Sequence, residues 1–344
     1  MNFASDNTSG AAPEILAALA AANEGAASSY GADPITARLE AKLADLFEHE
    51  VAVFPVATGT AANALALAAL VPPWGGVFCH PMAHIECDEA NAPEFYSGGA
   101  KLLAIDGPDG KLGAADLAAR LPGGLGNVHH AQPAAVSLTQ ATECGTAYRA
   151  DEIRAIATVA HRHGLAVHVD GARFANALVH LKASPADLTW RAGVDVLSFG
   201  ATKNGAMGAE AIVFFDPARA RELPFRRKRA GHLFSKMRFL SAQLDAYVTD
   251  DLWLRNAGHA NASAARLAAG LTALPGVTLR YPVEANELFV EMPDAMIVGL
   301  ADAGARFYRW PHEASTCIRL VTSWNTPDAE VADFLAHATR FAIV

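Results

Sequence analysis

The chain has 344 residues, of which 52% are hydrophobic and 18% charged, so it can bury a large core and is neither disordered nor fibrous. Its 27 Lys and Arg residues against 36 Asp and Glu give a net charge of −9, which repels nucleic acids and anionic membrane surfaces. We therefore expect about two domains, and we expect neither a nucleic-acid partner nor a membrane partner.

The N-terminus and the cysteines indicate the compartment. The N-terminus has no basic segment leading into an apolar run, so nothing in it resembles a signal peptide. The cysteines lack C-x-x-C spacing, which is typical of free thiols in a reducing compartment, and they are Cys79, Cys87, Cys144 and Cys317. We expect a cytoplasmic protein.

The first part of the chain predicts alternating helices and strands. Asp33-Pro34 combines a capping residue with a proline at the first helical position, and it predicts a helix over 34–48. A short β-branched run predicts a strand over 51–56. Thr58-Gly59-Thr60 then interrupts the pattern, and the alanine-rich segment 61–70 favours a helix.

The middle of the chain continues this alternation. A helix is predicted over 151–163, and a buried strand over 165–170 follows directly after Gly164. Two further short strands, 194–199 and 211–215, flank a glycine-rich loop. The alternation is typical of an α/β domain with a mainly parallel central sheet.

The pattern changes after about residue 252. The remaining chain predicts an α+β unit. A helix over 257–273 is followed by strands over 277–281 and 287–292, then by a helix, a strand over 317–322 and a final helix from Pro327. We therefore divide the chain into an N-terminal segment with a large α/β domain, residues 1–252, and a small C-terminal α+β domain, residues 253–344.

Loops that follow strands in parallel α/β sheets bind ligands, because the carboxyl ends of the strands share one edge of the sheet. Thr58-Gly59-Thr60 places a glycine and two hydroxyls at a helix N-terminus, where free N–H groups suit a phosphate; an ordinary helix cap is the alternative. Asp170 ends a buried strand and needs a partner to remain charged, which a salt bridge to a helix would also provide.

Two further residues stand after predicted strands. Lys203 lies among small residues that leave room for a bulky group on its amine, although most single lysines are surface residues. His84 follows the predicted strand 77–79, where a lone histidine is more often a hydrogen-bonded core residue.

Taken together, the four features are what a pyridoxal 5'-phosphate enzyme needs. The lysine holds the cofactor as a Schiff base, the carboxylate keeps the pyridine nitrogen protonated, the helix N-terminus binds the phosphate, and the imidazole stacks on the ring.

The order of these motifs resembles that of the low-specificity L-threonine aldolases, which are pyridoxal-phosphate enzymes of fold type I, the aspartate aminotransferase fold. The resemblance extends from Ser5 to Thr322. In chain order its motifs are Ser5-Asp6-Asn7, Tyr30-Gly31-x-Asp33, Thr58-Gly59-Thr60-x-Ala62-Asn63, Ala83-His84 with Glu89, His168-x-Asp170-Gly171-Ala172-Arg173, Thr202-Lys203-Asn204-Gly205 and Arg319.

The resemblance implies a role for each matched residue. Lys203 would form the Schiff base with pyridoxal 5'-phosphate, Asp170 would pair with its pyridine nitrogen, and His84 would stack over its ring. The phosphate would be held by Gly59 and Thr60, and Lys228 or Arg229 would reach it within the subunit or across a subunit boundary. The substrate or the cofactor edge would be bound by Ser5, Tyr30, Glu89, Arg173 and Arg319, the two arginines by forked contacts to the amino-acid carboxylate.

The resemblance also implies the reaction and the assembly. L-Threonine, L-allo-threonine and related β-hydroxy-α-amino acids would be cleaved to glycine and an aldehyde, with His84 as the base and Glu89 as its supporting carboxylate. We expect a homotetramer, a dimer of dimers, with active sites at subunit interfaces.

One segment departs from the family pattern. Some members carry acidic-Asn-Thr-His where this chain reads Thr139-Gln140-Ala141-Thr142-Glu143. His129 and His130 are the candidates for a second active-site histidine, and the sequence does not choose between them.

Three alternatives remain open. β-Elimination or transamination would use the same cofactor residues. A metal-dependent hydrolase would use His168 and Asp170, which share a strand face, with His129 and His130 as further ligands; we expect no metal. The basic run 226–229 would bind nucleic acid only against the acidic net charge, so a solvated loop or an anion site is the preferred interpretation.

Overall fold

The computed structural model describes residues 1–342, and within them the strands form one sheet of seven and one of four. The strands of the larger sheet are β1 (Ala52–Val56), β2 (Gly75–Cys79), β3 (Lys101–Ala104), β4 (Gln132–Thr139), β5 (Ala166–Gly171), β6 (Val196–Gly200) and β7 (Glu210–Phe214). Their order is β1-β7-β6-β5-β4-β2-β3.

Four of the six neighbouring pairs in this sheet are parallel, so the predicted α/β domain with a mainly parallel sheet is confirmed. The pairs of β7 with β6 and with β1 are antiparallel. β7 reverses direction because only residues 201–209 separate it from β6, too few for a crossover helix.

The helices of this part of the chain surround the sheet. They are α1 (Pro13–Ala22), α2 (Pro34–Phe47), α3 (Gly59–Leu70), α4 (His84–Cys87), α5 (Ala92–Ser97), α6 (Ala114–Arg120), α7 (Ala150–Arg162), α8 (Phe174–Leu181), α9 (Leu223–Arg229) and α10 (Arg238–Tyr247). The predicted helices over 34–48 and 151–163 correspond to α2 and α7.

Two of these helices show how local sequence sets the boundaries. The side chain of Asp33 accepts a hydrogen bond from the backbone N–H of Thr36 at 2.9 Å and so begins α2. α2 ends at Phe47 because Glu48 adopts a left-handed conformation with φ of 54°. α3 begins at Gly59 rather than at the predicted residue 61, since Thr58 caps it by accepting from the N–H of Ala61.

The C-terminal part of the chain forms the smaller sheet. Its strands, in the antiparallel order β10-β11-β9-β8, are β8 (Thr278–Leu279), β9 (Glu287–Glu291), β10 (Tyr308–Arg309) and β11 (Cys317–Val321). Its helices are α11 (Leu252–Thr272), α12 (Asp294–Asp302) and α13 (Asp328–Ala342). β8 is shorter than the predicted 277–281: the N–H of Val277 donates to Leu274 in the preceding turn, and only one further N–H, that of Arg280, bonds to β9 after Leu279.

The buried hydrophobic clusters follow this division: three contain residues of the large sheet, and one contains residues of the small sheet. α11 begins at Leu252 rather than at the predicted residue 257, close to the proposed boundary. Phe3 packs in the core of the small sheet, and Asn2 pairs with Arg306, so the N-terminal residues contact the C-terminal part of the chain. The division at residue 252 stays a prediction. No helix in residues 1–342 combines the length and apolar character that a membrane crossing requires.

Candidate active site

A cavity of about 300 Å³ opens where the large sheet meets the N-terminus of α3. Strands β4, β5 and β6 all contribute residues to it from their carboxyl ends, as expected for a parallel α/β sheet. Seven of the residues singled out from the sequence line it, and they are Gly59, Thr60, His84, Glu89, Asp170, Arg173 and Lys203.

Asp170 is a buried carboxylate at the end of β5, held in one orientation. Its Oδ1 accepts from the backbone N–H of Ala172 at 3.0 Å, and its Oδ2 accepts from the side-chain amide of Asn63 at 2.8 Å. Behind it, the ring nitrogens of His168 bond to the hydroxyls of Ser137 and Ser198. Burial lowers the pKa of His168 to about 4, so this imidazole is a neutral support.

This arrangement does not favour the metal-hydrolase alternative. Both nitrogens of His168 are engaged, so neither is free to bind a metal ion. Within the described residues 1–342, no three His, Cys, Asp or Glu side chains are grouped as metal ligands.

The N-terminus of α3 provides an anion-binding wall. The backbone N–H groups of Gly59 and Thr60 have no acceptor among residues 1–342, as is usual for the first helical residues. Both residues line the cavity, and a Cβ atom at Gly59 would meet no heavy atom within 4 Å, so there is open space beside this helix end. Free N–H groups and open space are what a phosphate group requires.

Lys203 lies in a short 3-10 turn between β6 and β7. Within residues 1–342 its ammonium group forms no hydrogen bond or ion pair, while the turn around it is firmly held. Glu210 accepts from the N–H groups of Ala201 and Thr202 at 2.9 and 3.4 Å, and Asn204 donates to the hydroxyl of Tyr247 at 2.8 Å. The structure therefore presents a free amine on a fixed backbone.

Glu210 is a buried carboxyl that the sequence did not single out. Burial raises its pKa to about 7, although its hydrogen bonds to Thr202 and Ala201 oppose this. Its contacts show that it positions the turn that carries Lys203.

His84 and Glu89 form a dyad at the edge of the cavity. His84 Nδ1 lies 2.8 Å from Glu89 Oε1, and the Glu89 side chain is 0% exposed against 39% for His84. The hydrogen bond to Glu89 raises the pKa of His84 despite its partial burial. Because Nδ1 is engaged, Nε2 is the nitrogen of His84 available to a reactant.

Asn63 connects this dyad to Asp170. Its side-chain amide donates to Glu89 Oε1 at 2.9 Å as well as to Asp170 Oδ2. Glu89 therefore lies behind the imidazole, where it orients His84, rather than in front of it. Its predicted contact with substrate stays a prediction.

The two arginines differ in their partners. Arg173 lines the cavity, but it is already paired with Asp6 through two bonds of 2.8 and 3.0 Å and with Glu287 at 3.1 Å. Arg319 does not line the cavity, and it has no carboxylate partner within residues 1–342. It donates to the backbone oxygen of Ala4 at 3.4 Å, and its guanidinium lies over the rings of Tyr308 and Trp310.

We expect Arg319→Ala to raise KM for the amino-acid substrate about 10- to 100-fold, because hydrogen bonds to a charged group contribute about 1.5–3 kcal/mol and 1.4 kcal/mol is a factor of ten. Steady-state kinetics would measure this. Arg280→Ala removes an arginine of the same small sheet that is paired with Glu291, and it should leave KM unchanged. An unchanged KM in Arg319→Ala would place the carboxylate site elsewhere.

The remaining predicted residues do not line this cavity. Ser5 caps the turn that carries Asn7 by accepting from its N–H at 3.1 Å, and Asn7 itself reaches the cavity. Tyr30 is exposed, with Lys228 Nζ 5.0 Å from its ring centroid, and Arg229 is exposed as well.

His129 and His130 belong to a different cavity. They line it together with Lys101 and Arg120, beside the edge strand β3. Neither histidine lines the cavity that contains His84. In the segment 139–143, which differs from the family pattern, Thr139, Ala141 and Glu143 line the cavity that contains His84.

The sequence analysis gave no role to four polar cavity residues, Asn7, Asn63, Glu143 and Glu210. The first three lay inside quoted segments, and those segments were the signal that could have found them. Glu210 carries no such signal, because its burial depends on the packing of β7 against β6.

Comparison with known proteins identifies relatives. The family model described as beta-eliminating lyase matches residues 2–295. A low specificity L-threonine aldolase of Pseudomonas aeruginosa is 46% identical over 344 residues, which covers 99% of this chain and 97% of that protein.

Solved structures give the same grouping. A Leishmania major threonine aldolase superposes with a TM-score of 0.93 at 32% identity, over 99% of both chains. An aspartate aminotransferase of Rhodobacter sphaeroides superposes with a TM-score of 0.71 at 18% identity, over 100% of this chain and 92% of that one, and this last likeness is one of fold.

Proposed function

The chain belongs to the beta-eliminating lyase family, and we propose that its threonine aldolase chemistry is carried by Lys203, Asp170 and His84. It is an aldehyde-lyase with the pyridoxal-phosphate enzyme fold, fold type I. It cleaves L-threonine, L-allo-threonine and related β-hydroxy-α-amino acids to glycine and an aldehyde by a retro-aldol reaction. The function implied by the sequence resemblance is confirmed.

The observation that supports this assignment of residues is their convergence in one cavity. The free amine of Lys203, the oriented carboxylate of Asp170 and the free N–H groups of α3 all line the same space of about 300 Å³. These are the groups that pyridoxal 5'-phosphate requires: an amine for its aldehyde, a carboxylate that accepts from its pyridine nitrogen, and N–H donors for its phosphate. The residues present therefore fit the cofactor on which this family depends.

Each residue then has a distinct task. Lys203 Nζ would hold the cofactor covalently, Asp170 would keep the ring nitrogen protonated, and Gly59 and Thr60 would bind the phosphate. When bound, the cofactor supplies the electron sink for the pair left at the substrate α-carbon. Arg319 would bind the substrate carboxylate through its unpaired guanidinium.

The contacts of His84 support its role as the base. Its Nδ1 is engaged by Glu89, so its Nε2 can take the proton of the substrate β-hydroxyl as the bond between the α- and β-carbons breaks. Glu89 keeps the ring in this orientation and stabilises the imidazolium that forms.

We expect His84→Asn to lower kcat about 10²-fold, within the range typical of lost proton transfer. Glu89→Gln should lower the pKa of His84, because the carboxylate that raises it is gone, and so move the acid limb of the activity profile to lower pH. Both effects would be measured in pH profiles of aldehyde release. His130→Asn, an exposed histidine of the other cavity, is the matched control and should behave as the unchanged chain does. Full kcat in His84→Asn would eliminate it as the base.

The direct test of the function is product analysis with L-threonine and L-allo-threonine, with and without added pyridoxal 5'-phosphate. Equal amounts of acetaldehyde and glycine are expected, and the two rates would rank the diastereomers. A 2-oxo acid in place of these products would indicate β-elimination or transamination instead.

We also propose a homotetramer with active sites at subunit interfaces. In support, Tyr30 and Lys228 lie together on the surface, and Phe225, in the same helix α9 as Lys228, is 78% exposed. Lys228 or Arg229 would then reach the phosphate of a neighbouring subunit. The free thiols of the described chain favour a cytoplasmic location. Sedimentation at equilibrium would measure the mass of the assembly.

A further inference from the structure

Glu143 is a carboxyl in the wall of the cavity to which the mechanism above gives no task. Its Oε1 accepts from the backbone N–H of His84 at 2.8 Å and from the hydroxyl of Thr139 at 2.9 Å. Its Oε2 is shielded from solvent and has no hydrogen-bond partner within residues 1–342. An unpartnered buried oxygen is costly for a charged carboxylate, so this atom favours a proton or a ligand.

The two oxygens of Glu143 therefore differ in function. Because Oε1 already accepts two hydrogen bonds, a proton on this group resides on Oε2. Burial and then the charge of Asp170 raise the pKa of Glu143 to about 7, while the backbone N–H donors and Thr139 oppose the shift. Besides Asp170, the titratable side chains that interact with it are Arg173, Cys79, Cys87, Cys144 and Tyr148.

We propose that Glu143 is the residue that delivers a proton to the α-carbon of the departing glycine. The proposal rests on the retro-aldol function above. That reaction has two proton transfers, one from the β-hydroxyl and one to the α-carbon, and His84 takes only the first. Glu143 is a second proton carrier in the same cavity, and its Oε1 is bonded to the backbone of His84 itself.

The transfers balance over one turnover. The hydroxyl proton goes to His84 while the bond between the α- and β-carbons breaks and the aldehyde C=O forms. The O–H bond at Glu143 Oε2 then breaks, and its proton forms the new C–H bond of glycine with the electron pair left at the α-carbon. The imidazolium of His84 returns its proton through water to the Glu143 carboxylate, which restores both residues.

Glu143→Gln tests this in the holoenzyme, because the amide oxygen can still accept from His84 and Thr139. The primary readout is exchange of the glycine α-hydrogen in deuterated water, followed by proton NMR without any aldehyde. We expect this exchange to slow about 10²-fold, with the glycine Kd and the visible absorbance of the bound cofactor unchanged. Glu94→Gln changes a carboxyl that also has a buried, unpartnered oxygen but lies outside the cavity wall, and it should exchange at the normal rate.

A second readout does not depend on turnover. Infrared difference spectra between about pH 6 and about pH 8, on either side of the expected titration, should contain a protonated-carboxyl band of Glu143 that is lost in Glu143→Gln, while the band of Glu210, whose pKa burial also raises to about 7, remains. Normal glycine exchange in Glu143→Gln, or loss of exchange in His84→Asn alone, would overturn the proposal. Exchange that depends on Glu143 in a protein that releases no aldehyde from threonine would support the proton transfer and overturn the aldol function instead.

Discussion

Replacing Lys203 with alanine is expected to lower kcat for aldehyde release by about 10⁴-fold or more, comparable with the loss of a catalytic nucleophile. Lys203 has the only side-chain amine in the cavity wall of the described chain, so no neighbour can take its place. Its ammonium forms no hydrogen bond or ion pair within residues 1–342, so the substitution should change the free energy of unfolding by less than about 1 kcal/mol. The loss would therefore be one of chemistry and not of folding.

Three measurements separate these effects. The assay of acetaldehyde from L-threonine gives kcat, borohydride reduction followed by mass spectrometry detects covalent cofactor, and urea unfolding gives stability. Lys203→Arg keeps the charge without the reactive amine and should fail as alanine does. Lys236→Ala, an exposed lysine, should be fully active. A reducible covalent adduct in Lys203→Ala would remove Lys203 from its role.

Arg173→Ala should lower the free energy of unfolding by about 3–5 kcal/mol, the cost of removing one partner from a buried ion pair. Arg173 is the partner of both Asp6 and Glu287, whose side chains are only 1% and 2% exposed. The three residues come from the N-terminal segment, the start of α8 and strand β9, so the cluster joins three distant parts of the chain. Without the guanidinium, two carboxylates would remain buried with no compensating charge from it.

The loss should depend on pH in a definite direction. Burial alone would raise the pKa of Asp6, but the charges of Arg173 and Lys203 lower it below its ordinary value. The unchanged chain thus has this stabilisation above the ordinary carboxyl pKa of about 4 and loses it as the pH falls through the lower folded pKa. In Arg173→Ala the Asp6 pKa rises instead, so the difference in stability should be largest at neutral pH and shrink toward about pH 4.

Urea denaturation at several pH values would measure these differences. The double variant Arg173→Ala with Asp6→Asn should recover part of the loss, because one uncompensated charge is removed. Arg191→Ala breaks exposed pairs with Glu48 and Asp187 and should lower the free energy of unfolding far less than Arg173→Ala does, because solvent screens exposed pairs. A loss in Arg173→Ala no larger than that of Arg191→Ala would show that the cluster does not stabilise the fold.

Much of the fold and of the cofactor site could be predicted from the sequence. The segments around 165–170 and 194–199 are short apolar runs next to turn residues, and local periodicity reports such strands directly. Asp170 and His84 were found because they follow predicted strands, and parallel strands bring their carboxyl ends to one edge. The helix ends were less certain, as α11 shows by starting at Leu252, because tertiary contacts extend a helix beyond its local signals.

Three features depended on the tertiary structure. Arg173 is paired with Asp6 and Glu287, which come from opposite ends of the chain. No spacing rule connects these residues in the sequence. In the structure Glu143 lies beside His84, whereas His129 and His130 line another cavity.

The sequence by itself determined the alternation of strands and helices, and therefore the edge of the sheet where Lys203, Asp170 and His84 meet. Those properties depend on residues close together in the chain. Only the tertiary structure decided which carboxyls are buried, which arginine is already paired and which oxygen of Glu143 has no partner. The charge state of a side chain depends on the solvent and the charges that folding brings around it, and these come from segments far apart in sequence.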